Sequence, residues 1–163
     1  MSKNNHNKRS GPLVAATLLL GMGLGGFIDG IVFHQILQWH QMISNIVTPD
    51  TLLNKSVNMF WDGVFHAFTW TFTFTGLLIL WSITSKPNVV KSDKIFAGGL
   101  LAGWGLFNLI DSANHFIFKI HNIREETANP FLYNILFLAF AIILLIVGGL
   151  LIVNERKKTT HIA

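Results

Sequence analysis

Aspartates and histidines stand in or beside long apolar runs of this chain, at spacings suited to metal coordination. Asp29 is followed by His34 and then His40. Asp62 is followed one helical turn later by His66. Asp111 is followed one turn later by His115, and then by His121. Imidazole nitrogen and carboxylate oxygen are donors for first-row transition ions, with zinc or copper the best suited. Asp62 and Asp111, each a turn before a histidine, could ligate an ion directly or accept the second N–H of an imidazole and so orient it. Met42 and Met59 could add soft sulfur for copper. The chain has no cysteine, which removes thiolate sites, cysteine nucleophiles and disulfides. There is no HExxH, no phosphate-binding loop, and no serine whose spacing ties it to a base. Catalysis is therefore not written in the sequence, and a hydrolase here would need a metal-activated water.

The elements that position these groups follow from composition. Of 163 residues, 51% are apolar and 12% charged; soluble domains carry roughly twice that charge. Four apolar stretches, about 12–37, 58–81, 95–120 and 131–153, are long enough to span roughly 30 Å of hydrocarbon. The 154–163 segment is a basic tail and residues 1–11 a polar one, with His6 and His161 in those tails. The first stretch runs on without a convincing cleavage site, which predicts an uncleaved helix rather than a signal peptide. Threonines alternate with aromatics from Thr69 to Thr75, as in a strand. A lone strand cannot satisfy its backbone in lipid, so a helix is expected, with hydroxyls bonded one turn back.

Nine lysines and arginines fall at the amino terminus, the 82–94 loop and the carboxyl tail, against Lys55, Lys119 and Arg124 elsewhere. That asymmetry puts both termini in the cytoplasm. The basic residues cluster between apolar runs and form no nucleic-acid face. The expected fold is an all-α, multi-pass integral membrane four-helix bundle. Gly23, Gly25, Asp29 and His34 are paralleled by Gly103, Gly105, Asp111 and His115, which allows a parallel repeat of two helical hairpins. Glycine pairs such as Gly21/Gly25, Gly26/Gly30 and Gly99/Gly103 permit close helix approach. Trp39, Trp61 and Trp81 fit interfacial belts, whereas Trp70 and Trp104 are deeper and expected inside the bundle.

At 1.5 Å rise per residue, Asp29 and Asp111 each lie roughly 24 Å above the inner boundary, and His34 and His115 roughly 30 Å above it. Asp62 and His66 lie roughly 4 and 10 Å below the outer boundary. All six fall in one outer slab. Asp62, His66, Thr69 and Thr73 share a helical face, as do Asn108, Asp111 and His115. Asp29 is turned about 140° from His34 on an α-helix, so the two meet only if the helix distorts, for which Gly26 and Gly30 give some freedom. His40 and His121 could line the mouth of the cluster or simply be interfacial histidines. Polar groups of this kind can simply satisfy one another between helices. Three aspartates and three histidines at one depth favour function, because buried ionisable groups are costly in a bilayer.

The string from Gly26 to His40, the string Trp61-Asp62-Gly63-Val64-Phe65-His66-Ala67, Gly105-Leu106-Phe107-Asn108 and His121-Asn122-Ile123-Arg124 together resemble a bacterial membrane family called domain of unknown function 2243. The resemblance covers nearly the whole chain. It implies a multi-helix inner-membrane protein and no established activity. Relatives often carry a further histidine where this chain has Gln41 and Asn122, and a longer aspartate-to-histidine spacing in the third helix.

The leading expectation is thus a metal centre on His34, His66, His115, Asp62 and Asp111, with Asp29, His40 and His121 nearby. It would serve metal handling with an extracytoplasmic partner protein, or metal-dependent hydrolysis. Two alternatives stand beside it. One is a haem held by histidines of facing helices. The other is a proton or ion pathway, for which the inner halves offer only hydroxyls such as Thr73 and Thr75.

Overall fold

The computed structural model describes residues 9–161, so Lys3, His6, Lys8 and most of the amino-terminal polar tail lie outside it. Helix α1 (Gly11–Ile28) continues as a π-helix, Asp29–Ile36; α2 is Leu52–Thr84; α3 (Asp93–Ala113) continues as a second π-helix, Asn114–Phe118; and α4 is Pro130–His161. There is no named strand among the described residues, and all four helices are long and apolar enough to cross a membrane.

Local chemistry sets most helix starts. Pro12 sits in the first turn of α1, where its missing N–H costs nothing. Thr51 and Ser92 are extended N-caps whose hydroxyls accept the N–H groups of Asn54 (3.1 Å) and Ile95 (3.4 Å). Pro130 opens α4, and Asn129 Oδ1 accepts the N–H of Leu132 at 3.1 Å. Two helices exceed their expected lengths. α2 begins at Leu52 rather than Asn58, because the Thr51 cap outweighs the polar Asn54, Lys55 and Ser56 that depress hydropathy. α4 runs past Val153 to His161 with no glycine or proline to stop it, and Arg156, Lys157 and Lys158 sit where cations favour a helix terminus.

α1 packs against both α2 and α3, and α3 packs against α4, so α1 and α3 form the centre and α2 and α4 the flanks. In the most apolar 18-residue window, 44% of α1 and 56% of α3 is buried, against 11% of α2 and 28% of α4. The central pair crosses at glycines. A Cβ on Gly103 would meet the backbone carbonyl of Leu18 and the Cα of Gly21, so only a bare backbone fits. α2 turns Phe68, Leu78 and Trp81 outward, as a lipid-facing helix does. Trp70 also faces outward, 57% exposed and stacked on Phe74, rather than packing in the bundle. Trp104 packs inside, against Phe140 and over Gly25. The threonine-rich segment is helical, and the hydroxyls of Thr69, Thr71 and Thr73 donate to the carbonyls of His66, Ala67 and Thr69 at 2.8–2.9 Å.

α1 and α3 end alike. Each passes into a π-helix and then a left-handed residue, Gln38 (φ 51°) or Lys119 (φ 54°). The N–H of the next residue then reaches back six positions, Trp39 to the carbonyl of Phe33 (2.9 Å) and Ile120 to that of Asn114 (3.0 Å). This sharp reversal brings a histidine, His40 or His121, back over the end of its own helix.

Candidate metal centre

The polar cluster gathers where α1 and α3 end and α2 begins, opposite the end where Arg9 meets Asn88 and Val90. Its central member is His34, which lies between two carboxylates. Nδ1 of His34 is 2.8 Å from Oδ1 of Asp62, and Nε2 is 3.2 Å from Oδ2 of Asp29. Oδ1 of Asp62 also accepts the backbone N–H of Met42 at 2.8 Å, so it is an acceptor and His34 carries its proton on Nδ1. Nε2 faces Oδ2 of Asp29 without a hydrogen bond. The meeting of Asp29 and His34, five residues apart, comes from the π-helix: an i→i+5 ladder brings residues five apart nearly into line, where an α-helix would separate them.

His40 is buried, although it borders a pocket. It is 2% exposed, and its Nδ1–H donates to the carbonyl of Ile123 at 2.9 Å. A carbonyl can only accept, so this bond fixes the tautomer and leaves Nε2 as a bare, unpartnered donor atom. Burial holds His40 well below the usual imidazole range. Asp29, His34 and His40 each offer one donor atom, and the three atoms lie within 4.8 Å of one another.

A second set with the same property is Asp111, His115 and His121. Oδ2 of Asp111 is 3.4 Å from Nε2 of His115, and Oδ1 is 3.6 Å from Nε2 of His121, while Asn114 donates to Oδ1 at 2.9 Å. His121 is fully buried rather than at a mouth. The two sets meet through the rings of His40 and His121, stacked at 4.6 Å and 3°.

His66 stands apart. Its Nδ1 donates to the carbonyl of Asp62 in its own helix at 2.8 Å, and its Nε2 comes so close to Gly30 that a Cβ there would lie 2.5 Å away. Of the expected site residues, the structure therefore brings together Asp29, His34, His40, Asp62, Asp111, His115 and His121, and leaves His66 turned aside. Unpartnered buried polar atoms concentrate here: Oδ1 of Asp29, Nε2 of His34 and His40, Oδ2 of Asp111, and both ring nitrogens of His115 and His121. Native interiors hold few such atoms, and each calls for an explanation.

Two asparagines that position the loops were not singled out from the sequence. Asn58 accepts the N–H of Ile43 (3.2 Å) and donates to the carbonyl of Val47 (2.7 Å). Asn134 accepts the N–H of Ile123 (2.9 Å) and donates to Asn122 (2.8 Å). The signals were present: Asn58 lies one turn before Asp62, and Asn134 is the one side-chain amide in the apolar run of α4 before Asn154. A pocket of about 160 Å³ reaches His40, walled by Trp39, Gln41, Lys55, Glu125 and Glu126. Glu125 accepts the Ser44 hydroxyl at 2.5 Å; burial raises its carboxyl above the ordinary value of 4.5, and that bond partly opposes the rise.

Residues 16–155 match the family described as Predicted membrane protein (DUF2243), and the chain belongs to that family. No curated protein and no solved structure matches it.

Proposed function

We propose that this protein binds a divalent transition-metal ion in the outer half of the membrane, on Asp29, His34 and His40, and handles it for an extracytoplasmic partner. One observation carries the reading: three buried side chains bring one donor atom each within 4.8 Å of one another, Oδ1 of Asp29 and Nε2 of His34 and His40 lack hydrogen bonds, and both imidazoles are bonded through Nδ1. Asp62 behind His34 and the Ile123 carbonyl behind His40 are the orienting partners that metal-bound imidazoles typically have. Three protein ligands leave a tetrahedral ion one open position, for cargo exchange or for a bound water.

The donor set favours zinc over copper(I). It is nitrogen and oxygen only, since Met59 is 64% exposed and Met42 meets the cluster through its backbone N–H. Protonating His34 would relieve its contact with Asp29, yet would leave Nε2 of His40 and four ring nitrogens of His115 and His121 without partners. A porphyrin is disfavoured because the histidine rings touch directly, with centroids 4.4–4.8 Å apart. The outer placement rests on the described basic residues: Arg9, Lys86, Lys91, Lys94, Arg156, Lys157 and Lys158 belong to the end away from the cluster, against Lys55, Lys119 and Arg124 near it. In a bacterial cell this puts the site on the external side of the inner membrane.

Elemental analysis of protein purified in detergent, loaded with zinc and passed through gel filtration, tests the reading. Retained zinc should be stoichiometric and should drop in a His34→Ala, His40→Ala double variant that still elutes as a folded species. Zinc retained equally by that variant, or by neither protein, refutes it.

A further inference from the structure

We propose that the same end of the bundle holds a second divalent transition-metal ion, on Asp111, His115 and His121, making a two-ion centre whose sites fill in order. This rests on the first site being a metal site and goes beyond it. An ion on Asp29, His34 and His40 alone leaves Oδ2 of Asp111 and all four ring nitrogens of His115 and His121 buried without partners. These three residues turn donor atoms to within 4.8 Å of one another, as the first three do. They are also delivered in the same way. An aspartate and a histidine from the end of a central helix are joined by a histidine brought back through a left-handed residue, Lys119 in place of Gln38.

The two sites are not equivalent. In the first, both imidazoles are fixed through Nδ1, by Asp62 and by the carbonyl of Ile123. In the second, Nδ1 of both His115 and His121 is without a hydrogen bond, and α4 brings no carboxylate to match Asp62. Loss of such orienting partners typically weakens metal affinity about 10–100-fold, so the first site fills first. The stacked His40 and His121 rings, with centroids 4.6 Å apart, join the two sites.

Cobalt(II) is the probe, because it occupies zinc sites and gives visible and paramagnetic signals. Full-length protein in detergent micelles is titrated with cobalt(II), and bound metal per chain is measured after gel filtration. Two ions per chain, taken up in phases separated by about 10–100-fold, are expected, with an electron paramagnetic resonance intensity below that of two isolated ions. His121→Gln should saturate at one ion and keep the tight phase, whereas His40→Gln should lose the tight phase. Saturation of the wild type at one ion overturns the second site and leaves the first standing. No binding overturns both. Two ions retained by a folded His115→Gln, His121→Gln variant overturns the assignment of residues. Wild-type stoichiometry and magnetic coupling decide the matter even if a variant does not fold.

Discussion

Asp62 touches no ion in the proposed centre, yet it should control how tightly the first ion is held. Its Oδ1 receives two N–H groups, from His34 Nδ1 and Met42, each at 2.8 Å, and the residue is 2% exposed. Asp62→Asn keeps an oxygen there but removes the charge, and a neutral acceptor binds roughly half as strongly as an ionised one. His34 then becomes a poorer and less well-aimed ligand. Zinc affinity should fall about 10–100-fold, equivalent to about 1.4–2.7 kcal/mol, with little change in fold. Asp62→Ala removes the acceptor altogether and orphans two buried donors, at about 1–3 kcal/mol each, so it should also lower the unfolding temperature of the apo protein. The assay is competition for zinc against a chromophoric chelator at neutral pH, with thermal melts of the apo proteins beside it. An Asp62→Asn affinity within twofold of wild type would refute the orienting role.

The remaining expectations concern the frame. Gly103→Ala sets a Cβ against the backbone of α1 and should destabilise the folded protein by about 1–3 kcal/mol, whereas Gly149→Ala meets nothing within 4 Å and should be neutral or slightly stabilising; equal melting temperatures would contradict the glycine crossing. Asn134→Ala frees the N–H of Ile123, whose carbonyl fixes His40, so zinc affinity should fall although Asn134 is in neither triad; unchanged affinity would sever that link. Glu125 binds its proton more tightly folded than unfolded, so its contribution to stability is present at pH values below 4.5 and is lost as pH rises through its raised folded value. Glu125→Gln should therefore flatten the decline of apo melting temperature on the alkaline side of pH 4.5, and an unaltered profile would contradict the burial of that carboxyl.

The membrane frame was legible because lipid makes strong demands on sequence: four apolar runs, and threonines that must bond within their own helix. The gathering of aspartates and histidines at one end was legible too, because the 1.5 Å rise converts sequence position into depth. Angular placement was not. Counting 100° per residue turned Asp29 away from His34, and a π-helix reversed that result. The paths of His40 and His121 depended on left-handed Gln38 and Lys119, residue types that carry no signal for that conformation. His66 shares a stripe with Asp62, yet Gly30 lets its ring fold against α1, where its Nδ1 bonds its own helix. Trp70 looked deep enough to be interior, but depth in a membrane does not distinguish bundle from lipid.

X-ray absorption at the zinc edge of the loaded, full-length protein tests the central claim most directly. The account predicts a shell of nitrogen and oxygen at about 2.0–2.1 Å, with the outer-shell scattering of imidazole and no sulfur near about 2.3 Å. The imidazole component should diminish in a His34→Ala, His40→Ala variant. A spectrum without imidazole scattering, or one that these substitutions leave unchanged, would contradict it.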